Sequence, residues 1–252
     1  MRVEKLGEGE PKHAVVGSIH GDEPCGKKVI ERFLNSDIQV KKPLKLVIAN
    51  EEALEKDKRY LEADLNRSFP GDLESDKHEE RLAAKILEEV KGMNVLDLHT
   101  TRSHPEPFAT LSHLNEDTKE MCRKAGVENA VYFSESNGTL NGEVTGIVVE
   151  TGLQGSDQAV ENGFNVLLNY LAAEGIIERE FELSDPNYFK YYETVEGDWE
   201  FKATNFDLVK EGTVFAKRNG EELVAEESFY PILMSNDGYE GMLGFKAEKM
   251  NI

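Results

Sequence analysis

Apolar positions along the chain follow two spacings. HAVVGSI (13–19), LKLVIAN (44–50), MNVLDLHT (93–100) and TGIVVETG (145–152) are short, nearly continuous apolar runs rich in β-branched residues, bounded by polar residues or Gly. Such runs predict strands buried on both faces. PFATLSH (107–113) and NAVYFSE (129–135) predict two more. Between the strands, Val29, Ile30, Phe33 and Leu34 recur at helical spacing. So do Leu82, Ile86, Leu87 and Val90, and then Val160, Phe164, Leu167, Leu168 and Leu171, with Asp157 placed to cap that last helix. The stretch EEALEKDKRYLEADLNRSFPGD (51–72) keeps neither period and closes on a Pro-Gly turn. It predicts a long loop with short helical pieces.

Strands alternating with helices predict an α/β sheet with helices on both faces. After about Phe181 the pattern changes to short pieces: DWEFKATN (198–205), GTVFAKRNGEEL (212–223) and YPILMSN (230–236). Asn219-Gly220 is a hairpin signal between two of them. The expected division is an α/β domain over 1–180 and a small β-rich C-terminal domain over 181–252.

Composition narrows the function classes. The 252 residues suffice for one sizeable core, and 39% hydrophobic with 31% charged residues describes a soluble globular chain. The net charge of −20 disfavours nucleic acid and anionic membranes as partners, because their phosphates are repelled. An anionic substrate therefore needs a local cluster of basic residues. No apolar run approaches the roughly 20 residues of a membrane span. MRVEKLGEGEPKH, at the start, lacks the apolar centre of a signal peptide, so the expected location is cytoplasmic. Cys25 and Cys122 are too few for a disulfide scaffold. Cys25, close to the first strand exit, reads as a small buried thiol at a helix start rather than a nucleophile. Whether the chain forms a homo-oligomer is left open.

The candidate chemistry lies at strand ends. His20 and Glu23 follow the first buried strand, and His99 ends another, about eighty residues on. If those strands are neighbours, the three residues converge. Two imidazoles and one carboxylate with a fourth position for water is a catalytic zinc arrangement. On spacing alone a surface His–Glu pair and a hydrogen-bonded strand-end His stay open as the alternative. Asp97 shares a strand face with His99 and reads either as the acid that orients it or as a buried Asp on backbone donors. His13, His78, His104 and His113 have no matching partner pattern and are taken as non-ligands. Arg59, Asn66 and Arg67 sit together in the polar loop, where a guanidinium fork suits a substrate carboxylate; exposed surface charge is the other reading. Glu150, at the end of an apolar strand, is either a general base or a Glu emerging into solvent.

Taken together, GSIHGDEP (17–24), RYLEADLNRSFPG (59–71), DLHTT (97–101) and GIVVETG (146–152), in that order, resemble the succinylglutamate desuccinylase/aspartoacylase family, a relative of the zinc carboxypeptidases. The resemblance covers roughly residues 13 to 175. It implies a three-layer α/β/α carboxypeptidase-like sandwich with a mixed sheet, plus a smaller β-rich C-terminal domain. It implies one zinc ion per chain held by His20, Glu23 and His99, and Glu150 as the general base that passes a proton to the leaving amine. Arg59 matches a residue polarising the scissile carbonyl, and Asn66 and Arg67 match the pair gripping a substrate carboxylate. Aspartoacylase-like members carry a further Arg shortly before the catalytic Glu; SNGTLNGEVTG (136–146) has no basic residue. Arg102, just after DLHT, resembles an Arg of the desuccinylase branch and is a candidate second cationic contact. Tyr239, in NDGYEG, matches loosely a tyrosine that reaches the active site in relatives. The function implied is zinc-dependent hydrolysis of the amide bond of a small, carboxylate-bearing N-acyl amino acid. The alternatives are a metallocarboxypeptidase acting on peptides and a non-catalytic carboxylate- or metal-binding protein.

Overall fold

The structure, a computed structural model, describes residues 1–134, 137–238 and 241–252. Tyr239, and Glu135 at the end of the expected strand NAVYFSE, lie outside the described residues. The first half runs β1 (Arg2–Leu6), β2 (His13–Gly17), α1 (Cys25–Leu34), β3 (Leu44–Ile48), α2 (Glu51–Glu55), a 3-10 turn at Leu65–Arg67, α3 (His78–Val90), β4 (Asn94–Thr101) and β5 (Phe108–Leu111). There follow α4 (Glu116–Ala125), β6 (Asn129–Tyr132), α5 (Leu140–Glu143), β7 (Gly146–Leu153) and α6 (Asp157–Ala173). The remainder is β8 (Asn187–Glu196), β9 (Glu200–Phe201), β10 (Val214–Arg218), β11 (Glu221–Val224), β12 (Tyr230–Ile232) and β13 (Met242–Lys249).

One ten-stranded mixed sheet, ordered β1-β3-β2-β4-β7-β5-β6-β8-β13-β12, runs through the molecule. Its strands alternate their side chains between two cores. Val15, Leu96, Leu98, Ile147 and Val149 join the apolar faces of α1, α4 and α6 on one side. Ala14, Val16 and Val95 join Leu82, Ala83, Ile86 and Val90 of α3 on the other. The α/β/α layering expected from the alternation is thus present. Asp97 and His99 fall on the α3 side, two and four positions from Val95, and Glu150, in register with His99, falls on the same side.

The sheet runs across the 180/181 boundary. Strands β8, β13 and β12 extend it, and β9, β10 and β11 form a separate three-stranded sheet with its own apolar cluster around Phe215 and Phe229. Asn219 and Gly220 both have positive φ in the β10–β11 hairpin, the geometry an Asn-Gly turn favours. The cap of α6 is Ser156, whose side chain accepts from Ala159 N–H, and Asp157 is in the first turn instead. Two elements escape the apolar period. β1 is an edge strand with charged residues, and α4 buries only Thr118, Met121, Cys122 and Ala125. An Asn115–Thr118 capping box holds the start of α4.

Candidate active site

β2 and β4 are adjacent and parallel, with Gly17 opposite Leu98. Their C-terminal ends therefore leave the sheet side by side, which is what brings His20 to His99. The exit from β2 is tight: a Cβ on Gly26 would lie 2.6 Å from Gly17 Cα, so glycine at both positions lets the start of α1 pass under the strand end. Ser18, at φ 58°, donates from its hydroxyl to the Glu23 carbonyl and accepts from Lys27 N–H. This folded turn returns Glu23 beneath His20.

The donor atoms converge. One ligand atom from each of His20, Glu23 and His99 lies within 4.8 Å of the others, and all three residues are buried. His20 Nδ1 is 2.9 Å from Glu23 Oε1, and His99 Nδ1 is 3.5 Å from Glu23 Oε2. The second nitrogen of each ring faces another carboxylate. His99 Nε2 is 3.0 Å from Asp97 Oδ2, and His20 Nε2 is 3.3 Å from Asp64 Oδ1. An acid on the far nitrogen fixes the tautomer that leaves Nδ1 free to ligate. Two imidazole nitrogens and a carboxylate also suit zinc by donor type. The residues present therefore fit a single zinc ion. Asp97 sits where the sequence placed it; Asp64 was missed, although it lies inside RYLEADLNRSFPG, because nothing local marks one acid among several as facing an imidazole.

Charge in the cluster is tightly balanced. Burial would raise the Glu23 carboxyl, but its bonds to His20 and His99 hold it well below the usual range. Burial would lower His99, yet Asp97 and Glu23 keep it well above its ordinary value. Asp64 is lowered too: burial opposes ionisation there, and the His20 contact and the Arg59 charge outweigh it.

Glu150 is opposite His99 in the β4–β7 register, so the two side chains emerge on one face. Burial pushes its carboxyl up to about 8; the charges of Glu23 and Asp97 add to the rise, and those of His99 and Arg59 oppose it. Oε2 of Glu150 is buried with no hydrogen-bond partner among the described residues. A buried carboxylate oxygen without a partner is costly unless the site has a use for it.

The loop after α2 supplies the cationic residues. Arg59 Nε donates to Asp64 Oδ2 at 3.1 Å, and Nη1 reaches Glu23 Oε1 at 3.5 Å. Glu79, the second residue of α3 and fully buried, holds this loop. Its carboxylate accepts from the backbone N–H groups of Leu61, Glu62 and Ala63 at 2.7, 3.0 and 3.1 Å, and from Asn50 Nδ2 at 3.3 Å. Asn66 Oδ1 accepts from Leu140 N–H. Gly138, at φ 79°, passes so close to Arg67 that a Cβ there would lie 2.6 Å from its carbonyl oxygen. Arg67 Nη1 donates to Asn66 O at 2.6 Å. Arg102 lies on the rim, donating from Nε to Gln154 Oε1 and from Nη1 to the Asp237 carbonyl.

The three candidate ligands, Glu150, Arg59, Asn66, Arg67 and Arg102 line one cavity of about 770 Å³, which also reaches Tyr191, Leu233, Met242 and Phe245 of the C-terminal segment. Of the other histidines, none joins the cluster: His13 faces Tyr170 and Glu174, and His104 packs on Phe108 and Phe206. Cys25 is buried against Thr151, and burial raises its thiol above the ordinary range. No helix among the described residues is long and apolar enough to cross a membrane.

Comparison with known proteins agrees with this geometry. The family model for the succinylglutamate desuccinylase/aspartoacylase catalytic domain matches residues 10–159. A probable aspartoacylase of Acaryochloris marina (strain MBIC 11017) is 33% identical over 103 residues, 36% of this chain and 35% of that protein. The N-acyl-aromatic-L-amino acid amidohydrolase (carboxylate-forming) of Xenopus laevis is 33% identical over 104 residues, 36% of this chain and 34% of its own length. The chain thus matches about a third of the length of these curated relatives. Among solved structures, the succinylglutamate desuccinylase/aspartoacylase from Rhodobacter sphaeroides has a TM-score of 0.80 at 19% identity, over 99% of this chain and 89% of that one. Murine aminoacylase 3 has a TM-score of 0.73 at 19% identity, over 96% and 97%. These likenesses show the same fold. With its strand-end motifs, its layered sheet and a family model that covers more than half its length, the chain belongs to the succinylglutamate desuccinylase/aspartoacylase family.

Proposed function

We propose that this chain is a zinc-dependent deacylase that hydrolyses the amide bond of a small N-acyl amino acid. One observation carries the reading: the donor atoms of His20, Glu23 and His99 converge within 4.8 Å, and Glu150 stands in register beside His99 on the wall of the same cavity. Zinc held by His20, Glu23 and His99 would supply Lewis acidity and would bring a water toward ionisation near neutral pH. Glu150 takes the proton from the attacking water and delivers it to the leaving amine nitrogen. Arg59, fixed by Asp64 and Glu23, places positive charge beside the carbonyl oxygen as it becomes negative. Asn66 and Arg67 hold the substrate carboxylate, and Asp64 and Asp97 keep both ligand imidazoles in the required tautomer. Tyr239, outside the described residues, has no placed role.

The C-terminal segment favours a small amide over a long peptide. Ser235 donates from its hydroxyl to the Arg102 carbonyl and Arg102 donates to the Asp237 carbonyl, while Leu233, Met242 and Phe245 wall the cavity. A non-catalytic binder has no need of Glu150. The test is hydrolysis by zinc-loaded protein of a panel of N-acyl amino acids spanning acidic, small and aromatic members. Glu150→Gln is expected to keep its zinc and lose on the order of 10²-fold or more in kcat. No turnover of any panel member by the wild-type protein, or near-normal turnover by Glu150→Gln, rules the reading out.

A further inference from the structure

The cavity does not end at Glu150. It runs over Val148 on β7 and Thr110 on β5 to a second wall, built by Phe133 just after β6, Tyr191 on β8 and Phe245 on β13. The sheet order β7-β5-β6-β8-β13 places this wall on the side away from His20. At ~4.8 Å per strand, β7 and β8 are about 14 Å apart. The three rings pack on one another, with centroid separations of 5.4 Å for Phe133–Tyr191, 5.4 Å for Phe133–Phe245 and 5.3 Å for Tyr191–Phe245. The Tyr191 hydroxyl is 3.0 Å from Thr194 Oγ1, so its polar tip is already matched. Leu111, Leu233 and Met242 complete an apolar lining. A cavity of about 770 Å³ exceeds what a two-carbon acyl group on a small amino acid fills.

The charges in the cavity argue in the same direction. Its cations, among the described residues, are Arg59, Arg67 and Arg102. Arg59 is bonded to Asp64 and Glu23, and Arg102 to Gln154 and the Asp237 carbonyl. Arg67, whose Nη1 donates to the neighbouring Asn66 carbonyl, is the carboxylate clamp of the reading above. Asp22 adds a carboxylate of its own to the wall, and its Oδ1 is buried without a hydrogen-bond partner among the described residues. A second substrate carboxylate, as in an aspartyl, glutamyl or succinyl group, would meet apolar rings if it were seated on the Phe133–Tyr191–Phe245 wall.

The geometry points to a substrate that carries, besides one carboxylate, an aromatic or extended apolar group seated on the Phe133–Tyr191–Phe245 wall. The reaction is then deacylation of apolar N-acyl amino acids rather than of acidic ones. This inference rests on the deacylase reading above. The apolar group belongs either to the acyl half or to the amino-acid side chain, and the ligands below separate the two.

The test is calorimetric binding to the zinc-loaded Glu150→Gln protein, which reads affinity without turnover. The ligands are N-acetyl-L-phenylalanine (ring on the side chain), N-benzoylglycine (ring on the acyl group), N-acetylglycine, N-acetyl-L-aspartate and N-succinyl-L-glutamate. At least one aromatic ligand is expected to bind on the order of 30-fold tighter than N-acetylglycine, and the acidic pair no tighter than it. Adding Phe245→Ala should weaken the aromatic ligand about 10-fold or more and leave N-acetylglycine within about 2-fold. Phe245→Leu keeps the bulk this position also gives to the core, and should act in the same direction should the alanine variant fail to fold. Aromatic ligands that bind no tighter than N-acetylglycine, acidic ligands that bind tighter, or a Phe245 effect equal on all ligands overturn the subsite. Aromatic binding without any turnover by the wild-type protein instead sinks the deacylase reading and leaves the subsite standing.

Discussion

At one end of the cavity, His20 and His99 are each held at both ring nitrogens by carboxylates. At the other, Phe133, Tyr191 and Phe245 touch through ring faces and edges, with no charge among them. The polar end comes from residues near strand exits and one loop, and the aromatic end from strands that are distant in sequence. The contrast is one of mechanism. A polar network is all-or-none, because removal of one member strands its partners. An apolar wall is graded, because each ring contributes area and shape. Substitutions at the first end should therefore affect every substrate, and those at the second should discriminate among substrates.

The largest effect belongs to the ligands. On the proposed reading, His99→Ala or His20→Ala removes a zinc donor and leaves Glu23 facing a single imidazole. Metal analysis should show occupancy falling from about one ion per chain to a small fraction, with activity lost on all substrates alike. Undiminished zinc in both variants would erase the distinction between the two ends. Next comes the carboxylate clamp. If Arg67 is the proposed clamp, Arg67→Ala removes a charge-assisted contact worth about 2–5 kcal/mol when the partner charge is desolvated, so kcat/KM should fall on the order of 30-fold or more. Arg67→Lys should recover only part of this, because an ammonium lacks the fork. The same substrate with its carboxylate turned into an amide should be poor for the wild type and indifferent to the mutation. Equal loss on both substrates would move Arg67 from the site to the scaffold.

The smallest effect tests how the polar end is supported. Glu79 touches no ligand but bonds three successive backbone N–H groups of the loop that carries Arg59 to Arg67. Glu79→Gln leaves part of that set unsatisfied, at a cost of about 1–3 kcal/mol, which for a chain this size lowers Tm by roughly 3–10 °C. Burial alone would raise the Glu79 carboxyl; the backbone bonds outweigh it and hold it below its ordinary value. Its stabilisation is thus complete above the unfolded-state pKa of about 4 and is lost as pH falls through the lower folded value. The Gln variant should show a shallower loss of stability on acidification. An unchanged acid limb would mean that the loop is held by other contacts.

Much of the polar end was legible in the chain. His20, Glu23, His99 and Glu150 each end or follow an apolar run, and chemistry-bearing side chains at strand exits stand out against apolar surroundings. Asp97 was legible by period, two positions from His99 on the same strand. Asp64 and Glu79 were not, since each is one acid among many in a chain with 49 Asp and Glu residues. Only the fold back of the 57–67 loop onto α3 and β2 separates these two from solvated carboxylates. The strands of the first 175 residues were likewise readable because burial on both faces forces continuous apolar runs. β1 and α4 were not, because an edge strand and a capped surface helix need few apolar positions.

The sequence by itself determined the layered α/β plan, the strand-end placement of the imidazoles and carboxylates, and the family. These follow from local rules: the period of apolar residues, the turn chemistry of Gly and Asn, and motifs whose members lie within a few positions of one another. The tertiary structure alone decided that β2 and β4 are neighbours, that Glu150 pairs in register with His99, and that β8 and β13 continue the central sheet to bring Tyr191 and Phe245 beside Phe133. Strand order and register are set by packing between residues far apart in the chain, and no local spacing encodes them.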